Sequence, residues 1–165
     1  MLETKRLLLI PVDCEILDSL LESDEVFFNK YGFVNQGGEF LNPSPDYLYK
    51  IKQRLFDYPE EYPLAVDYLI VVKEIKTVIG TIYFKYLPNE DGTSEIGYGM
   101  NPKYEGHGYM SEALSTMLLF GRDNNIVEVV ADTLVDNVKS QNVLIRCGFS
   151  LIKKENDKLW FSKAL

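Results

Sequence analysis

The stretch EIGYGMNPKYEGHGYMSEAL, residues 95–114, constrains the fold more than any other part of the chain. It reads as a strand, a turn with two glycines one residue apart, and an amphipathic run. In that run Met110, Ala113, Leu114, Met117, Leu118 and Gly121 keep helical spacing from His107 to about Arg122. Ile126 to Ala131 then forms an apolar run of strand length. Strand, helix and strand in that order make a crossover, so pairing is parallel here. Gly106-His107-Gly108 lies where free backbone N–H groups and the positive end of a helix dipole converge, which suits an anion. Glycine there allows close approach of a phosphate and lets successive N–H groups form a concave nest. Taken alone, G-x-G equally describes a tight turn with no ligand.

The other elements follow from periodicity. Lys5 to Val12 is β-like, and Asp13 is a candidate N-cap for a helix through about Ser23 with Ile16, Leu17, Leu20 and Leu21 inward. Glu25 to Asn42 is aromatic-rich and punctuated by Gly32, Gly37 and Gly38, and reads as loop. Pro43 and Pro45 precede a second helical pattern from about Asp46 to Phe56. Tyr68–Lys73 and Val78–Tyr86 form a hairpin, and Thr93–Met100 continues it as a three-stranded meander. Asn137 is a candidate N-cap for a helix holding Val143, Leu144 and Cys147, closed by Gly148-Phe149 as a left-handed C-cap. Leu151–Lys154 and Leu159–Ser162, joined through Asn156-Asp157, make a last hairpin. The class is therefore α+β or mixed α/β with a largely antiparallel sheet.

With 165 residues, 46% of them hydrophobic, residues 1–165 suit one domain with a sizeable core. The net charge of -8 disfavours nucleic acid as a partner. Two distant cysteines, Cys14 and Cys147, and a single histidine argue against a disulfide framework and against a metal site. A reducing cytoplasm fits that usage. The opening MLETKRLLLIPVD has an apolar run too short for a signal peptide or a membrane span.

Among phosphate readers, a Walker A loop needs G-K-[ST], where this chain has Gly108-Tyr109-Met110. A dinucleotide fingerprint is imitated by Gly106, Gly108 and Ser111 with Glu128 or Asp132. However, Asn101 to Glu105 separates strand from glycines, and too little chain follows for a doubly wound sheet. EIGYGMNPKYEGHGYMSEAL followed by DNVKSQNVLIRCGF resembles the GNAT-type N-acetyltransferase superfamily, most closely its ribosomal-protein N-terminal acetyltransferase branch. LETKRLLLIPVD resembles that branch's first strand and VIGTIYF its hairpin strand, so the likeness spans nearly the whole chain. The resemblance implies about seven strands and about four helices, with two central strands splayed into a notch for the pantetheine arm of acetyl-CoA, the cosubstrate. It implies that GHGYMSEAL is the pyrophosphate loop, with Lys103, Gly106, His107, Gly108, Tyr109, Met110 and Ser111 at the cofactor. Gly97 and Gly99 within one strand mark either a bulge or a place where a chain-like molecule pairs with the backbone.

An alkylamine has a pKa of about 10.4, so transfer of an acetyl group to it needs a base. Glu95 shares a strand side with Gly97 and Gly99 by alternation, and the resemblance makes it the candidate base through water. The alternative is a solvated strand acid. By resemblance Ser140 lies near the CoA sulfur, where Leu144 stands at the tyrosine position of other members. Local helix capping explains Ser140 as well. Asn137 lies beside the cofactor by resemblance, and the N–H near Met100 is the oxyanion donor. Glu105 places a negative charge at the loop that Lys103 with His107 would offset. Phe27, Phe28, Tyr31, Phe33, Phe40, Tyr47 and Tyr49 occupy the stretch this superfamily uses as its acceptor wall, and core packing explains most of them equally. The expected acceptor is a small cationic amine or a peptide N-terminus, with a homodimer through a sheet edge or the last hairpin. A noncatalytic acyl-CoA-binding domain is the alternative on the same fold.

Overall fold

A computed structural model of the chain describes residues 1–34 and 44–165. Its strands are β1 (Leu2–Glu3), β2 (Leu7–Pro11), β3 (Tyr68–Val72), β4 (Thr77–Phe84), β5 (Thr93–Met100), β6 (Glu128–Leu134), β7 (Ser150–Glu155) and β8 (Lys158–Ala164). They form one sheet in the order β1-β2-β3-β4-β5-β6-β8-β7. Every pairing is antiparallel except β5 with β6. The helices are α1 (Cys14–Glu22), α2 (Asp24–Tyr31), α3 (Pro45–Asp57), α4 (Tyr109–Asp123) and α5 (Val138–Arg146). Eight strands and five helices among the described residues slightly exceed the expected seven and four. The mixed α/β class and the parallel crossover at β5–α4–β6 are as the sequence requires.

The two miscounts have local causes. The opening strand is two pieces because Thr4 Oγ1 takes up the Leu7 N–H at 2.8 Å and turns the chain between them. Helix α2 lies where loop was expected. Its N-cap is Ser23, which also closes α1: its N–H donates to Ser19 O at 3.1 Å while its Oγ accepts from Val26 N–H at 3.2 Å. One serine serving two helix ends leaves no gap for a reader of periodicity to find. Strand β6 starts at Glu128 rather than Ile126. The left-handed Asn125, φ 65°, holds Ile126 back as a buried plug against Gly121.

Helices cover both faces of the sheet. Tyr68 of β3 meets Phe120 of α4 edge-on at 5.9 Å between ring centroids, and Gly121 leaves room for Phe84 of β4. Leu69, Thr81 and Tyr83, of opposite parity, face α1 and α3. Leu7, Leu9, Leu114, Met117 and Val129 are fully buried in the shared core. Asn137 caps α5 as expected, and Gly148, φ 86°, closes it with Phe149 buried.

Candidate active site

Strands β5 and β6 run together for three residues, Thr93 beside Glu128, Ser94 beside Val129 and Glu95 beside Val130, and then part. β5 stays paired with β4 throughout, in unbroken register from Phe84–Ile96 to Gly80–Met100. The bonds Lys85 N–H to Glu95 O (2.7 Å) and Asn101 N–H to Ile79 O (2.8 Å) show that odd-numbered residues of β5 bond to β4. Alternation therefore turns the N–H groups of Tyr98 and Met100 into the opening left by β6. Gly97 is no bulge. A Cβ there would stand 2.9 Å from Cζ of Tyr83, so the glycine makes room for that ring.

The opening is continuous with a cavity of about 590 Å³ between the glycine turn and α5. Met100, Gly106, Gly108, Tyr109, Met110 and Ser111 line it from one side and Asn137 and Ser140 from the other. Gly106 and Gly108 both have left-handed backbone, φ 79° and 77°, and Gly108 caps α4 with no side-chain cap bond. No protein acceptor takes the backbone N–H of residues 106 to 111 among the described residues, and no atom lies within 4 Å of a Cβ built on Gly106. An open nest on a helix N-terminus is an anion cradle that fits a diphosphate. Arg6 braces it from behind. Its Nη1 donates to His107 O at 2.9 Å, its Nε to Glu112 Oε2 at 2.6 Å, and its guanidinium lies 4.4 Å from the Tyr109 ring centre.

Lys103 and His107 are exposed and outside the lining. Lys103 sits in the 3₁₀ turn Pro102–Tyr104, and His107 contributes its carbonyl to Arg6. The charge of Glu105 is met instead by Lys139 of α5, with which it is ion-paired at the cavity edge. That corrects the expected offset by Lys103 and His107, because α5 rather than the turn faces the Glu105 carboxylate.

Ser140 belongs to the capped first turn of α5 and also lines the cavity. Its N–H donates to Asn137 Oδ1 at 3.1 Å, and its Oγ lies 3.0 Å from the Tyr98 hydroxyl. Burial pushes the Tyr98 phenol up to about 12, against a smaller opposing effect of the Ser140 bond, so it stays protonated at neutral pH. Sequence reasoning missed Tyr98. Its signal was alternation, which turns it away from the side that Glu95 faces. Cys147 is buried at the end of α5.

Glu95 is buried and lines neither described cavity. Its carboxylate is ion-paired with Lys85, which also binds Asp132 at 2.8 Å, and Lys158 binds Asp132 at 2.7 Å. Burial raises the Glu95 carboxyl above its ordinary range despite the Lys85 bond. Burial also acts upward on Asp132, but its two lysines outweigh that and hold it low.

A second cavity, of about 340 Å³, opens on the other sheet face under α1 and α3 and shares Tyr98 and Gly99 with the first. Of the aromatics expected as acceptor wall, Tyr47 lines it. Phe27 packs against Phe28, Tyr31 and Phe33, Tyr49 is exposed, and Phe40, like Gly37, Gly38 and Pro43, lies outside the described residues. Asp67 and Tyr83 line it too, unforeseen from sequence. Among the described residues no cluster of side chains could hold a metal ion, and no helix is long and apolar enough to cross a membrane.

A family model described as an acetyltransferase (GNAT) domain matches residues 6–150. The uncharacterized N-acetyltransferase YjdG of Bacillus subtilis is 29% identical over 164 residues, covering 97% of this chain and 96% of that protein. The solved ribosomal-protein-S5-alanine acetyltransferase of Vibrio fischeri superposes with a TM-score of 0.72 at 18% identity, over 99% of this chain and 95% of that one. The Microcin C7 self-immunity acetyltransferase MccE, solved with acetyl-CoA and AMP, gives 0.67 at 22% identity, over 98% and 94%.

Proposed function

Since the chain belongs to the GNAT acetyltransferase family and is an acetyl-CoA-dependent N-acetyltransferase, we propose that it acetylates a primary amine by direct attack within a ternary complex. The carrying observation is that the parted β5 and β6 and the uncovered amides of residues 106 to 111 open into one cavity. That cavity shares Tyr98 and Gly99 with a second one. Acetyl-CoA supplies an activated acyl group and a thiol leaving group.

The amides of residues 106 to 111 and the dipole of α4 hold the diphosphate, with Lys139 keeping Glu105 from repelling it. The Tyr98 N–H pairs with the pantetheine arm as an added strand would, and the Met100 N–H faces the developing oxyanion. The linked hydroxyls of Ser140 and Tyr98 hold a proton for the departing sulfur. Asn137 fixes Ser140 by capping α5. Glu95 takes the amine's proton through water, and its raised pKa suits a base while Lys85 opposes protonation. Lys103 and His107 contribute main-chain positions at the loop.

The acceptor is a small cationic amine or a protein N-terminus; the second class is suggested by the ribosomal-protein acetyltransferase among the structural relatives. A cytoplasmic setting accords with both cysteines being free. An exposed edge strand, β7, supports a homodimer, and sedimentation as a monomer at working concentration would dismiss it. The decisive assay mixes protein, acetyl-CoA and a panel of amines and basic peptides and follows free thiol. Amine-dependent release that falls in Glu95→Gln and in Ser140→Ala supports the assignment. Binding of acetyl-CoA without turnover of any panel member, or both variants at full rate, rejects it.

A further inference from the structure

We propose that Asp67 anchors a second cationic group of the acceptor, which makes the acceptor class a linear diamine or polyamine. This rests on the acetyl-transfer reading of the site and names its substrate class. Asp67 directly precedes β3 and is only 4% exposed, yet it lines the 340 Å³ cavity. Its Oδ2 accepts from the Tyr47 hydroxyl at 2.6 Å, and its Oδ1 is buried with no partner among the described residues. No cationic side chain among the described residues pairs with it. Arg54, the nearest in influence, donates instead to Phe84 O at 3.2 Å. A buried carboxylate without a cation costs several kcal/mol, and one phenol does not offset that. The walls beside it are Leu48, Ile51 and Leu69 with the tyrosines 47, 83 and 98, a lining that suits a methylene chain carrying ammonium groups. A neutral donor could bond to Oδ1 but would leave its charge uncompensated, and an anionic occupant would be repelled.

Spacing separates this role from that of a base. Tyr68 lies opposite Ile82, and Ile82 opposite Tyr98, so continuing the register sets Asp67 beside Tyr83 and Gly97. From there to Gly99, which lines both cavities, is two strands across and two residues along, roughly 12 Å between backbone positions. One nitrogen cannot bind Asp67 and react at Gly99. Two nitrogens on a chain of several methylenes can.

Calorimetric titration with hexamethylenediamine and with hexanediol, on CoA-free and CoA-loaded protein, reads the charge requirement. The diamine binds at least about tenfold tighter than the diol. Asp67→Asn removes that advantage, while Tyr47→Phe, which keeps the carboxylate, retains it. In acetylation assays hexamethylenediamine exceeds ε-aminocaproate in kcat/KM by at least about tenfold, and the ratio falls to about one in Asp67→Asn. Equal affinity for diamine and diol in the wild type, or a preference that survives Asp67→Asn, overturns the assignment. If Asp67→Asn does not fold, the wild-type comparisons decide by themselves. Failure to bind acetyl-CoA or to turn over any amine would strike the acetyl-transfer reading, while the diamine titration of CoA-free protein still reports on Asp67.

Discussion

In the proposed transfer Tyr98 and Ser140 act on one proton, and that sets how their variants combine. Tyr98→Phe and Ser140→Ala are each expected to lower kcat by roughly ten- to a hundredfold with little change in the KM for acetyl-CoA. The double variant should fall well short of the product, and full multiplicativity in steady-state kinetics would separate their roles. Asp67 has a consequence for stability rather than rate. Burial pushes its carboxyl up to about 6 from an ordinary 3.8, outweighing the opposing Tyr47 bond and Arg54 charge. The groups facing it are Tyr47 and Arg54 from α3 and Tyr83 from β4. Between these two values the folded state holds the proton and the unfolded state does not, so stability declines as pH rises from about 4 to about 6 and then levels. Asp67→Asn lacks this decline. Relative to wild type it should gain up to about 3 kcal/mol over that interval in denaturant titrations at the two ends, and a constant difference would contradict the burial of the charge.

At the scale of elements, the start of α4 carries the greatest demand on sequence. Gly106 and Gly108 are required by their left-handed backbone and not by crowding, since the space about Gly106 is open. Alanine at either should cost about 1 kcal/mol or more of stability and weaken acetyl-CoA binding severalfold by turning amides out of the nest. Gly148→Ala, strained in the same way at the end of α5, should lose stability with acetyl-CoA affinity nearly unchanged. Calorimetry on the three variants distinguishes nest from mere turn. The Glu105–Lys139 pair makes a second test. Lys139→Ala should weaken acetyl-CoA binding, and Glu105→Gln on top of it should restore much of the loss, because the carboxylate repels only when unpaired. This strand–turn–helix was legible because each signal in it is local: alternation, two glycines, then period 3.6. Helix α2 was not, because Ser23 ends one helix and begins the next without a break, and aromatics obscured the period.

Over the whole molecule, the notch exists because β5 keeps one neighbour and loses the other. Ligand filling that notch bridges the two halves of the sheet. At a hundredfold excess over its Kd, acetyl-CoA should therefore stabilise the fold by about 2.7 kcal/mol, seen as a concentration-dependent rise in Tm. A flat melting temperature would deny the cavity its occupant. What sequence could not show is also of this scale. Alternation set the side of Glu95 but not its pairing with Lys85 or the further link to Asp132, which lies 37 positions on. Likewise Tyr98 and Ser140, or Tyr47 and Asp67, meet only because strands and helices distant along the chain pack together.

The odd–even bonding of β5 makes its length as much a chemical specification as any side chain. Delete one residue between Ile96 and Met100 and parity inverts. The tyrosine's hydroxyl would swing to the opposite sheet face, its N–H would turn from the notch to β4, and the chain would keep its fold while losing its trade. Families of such sequences should therefore tolerate exchanged letters in this strand far more readily than a changed count.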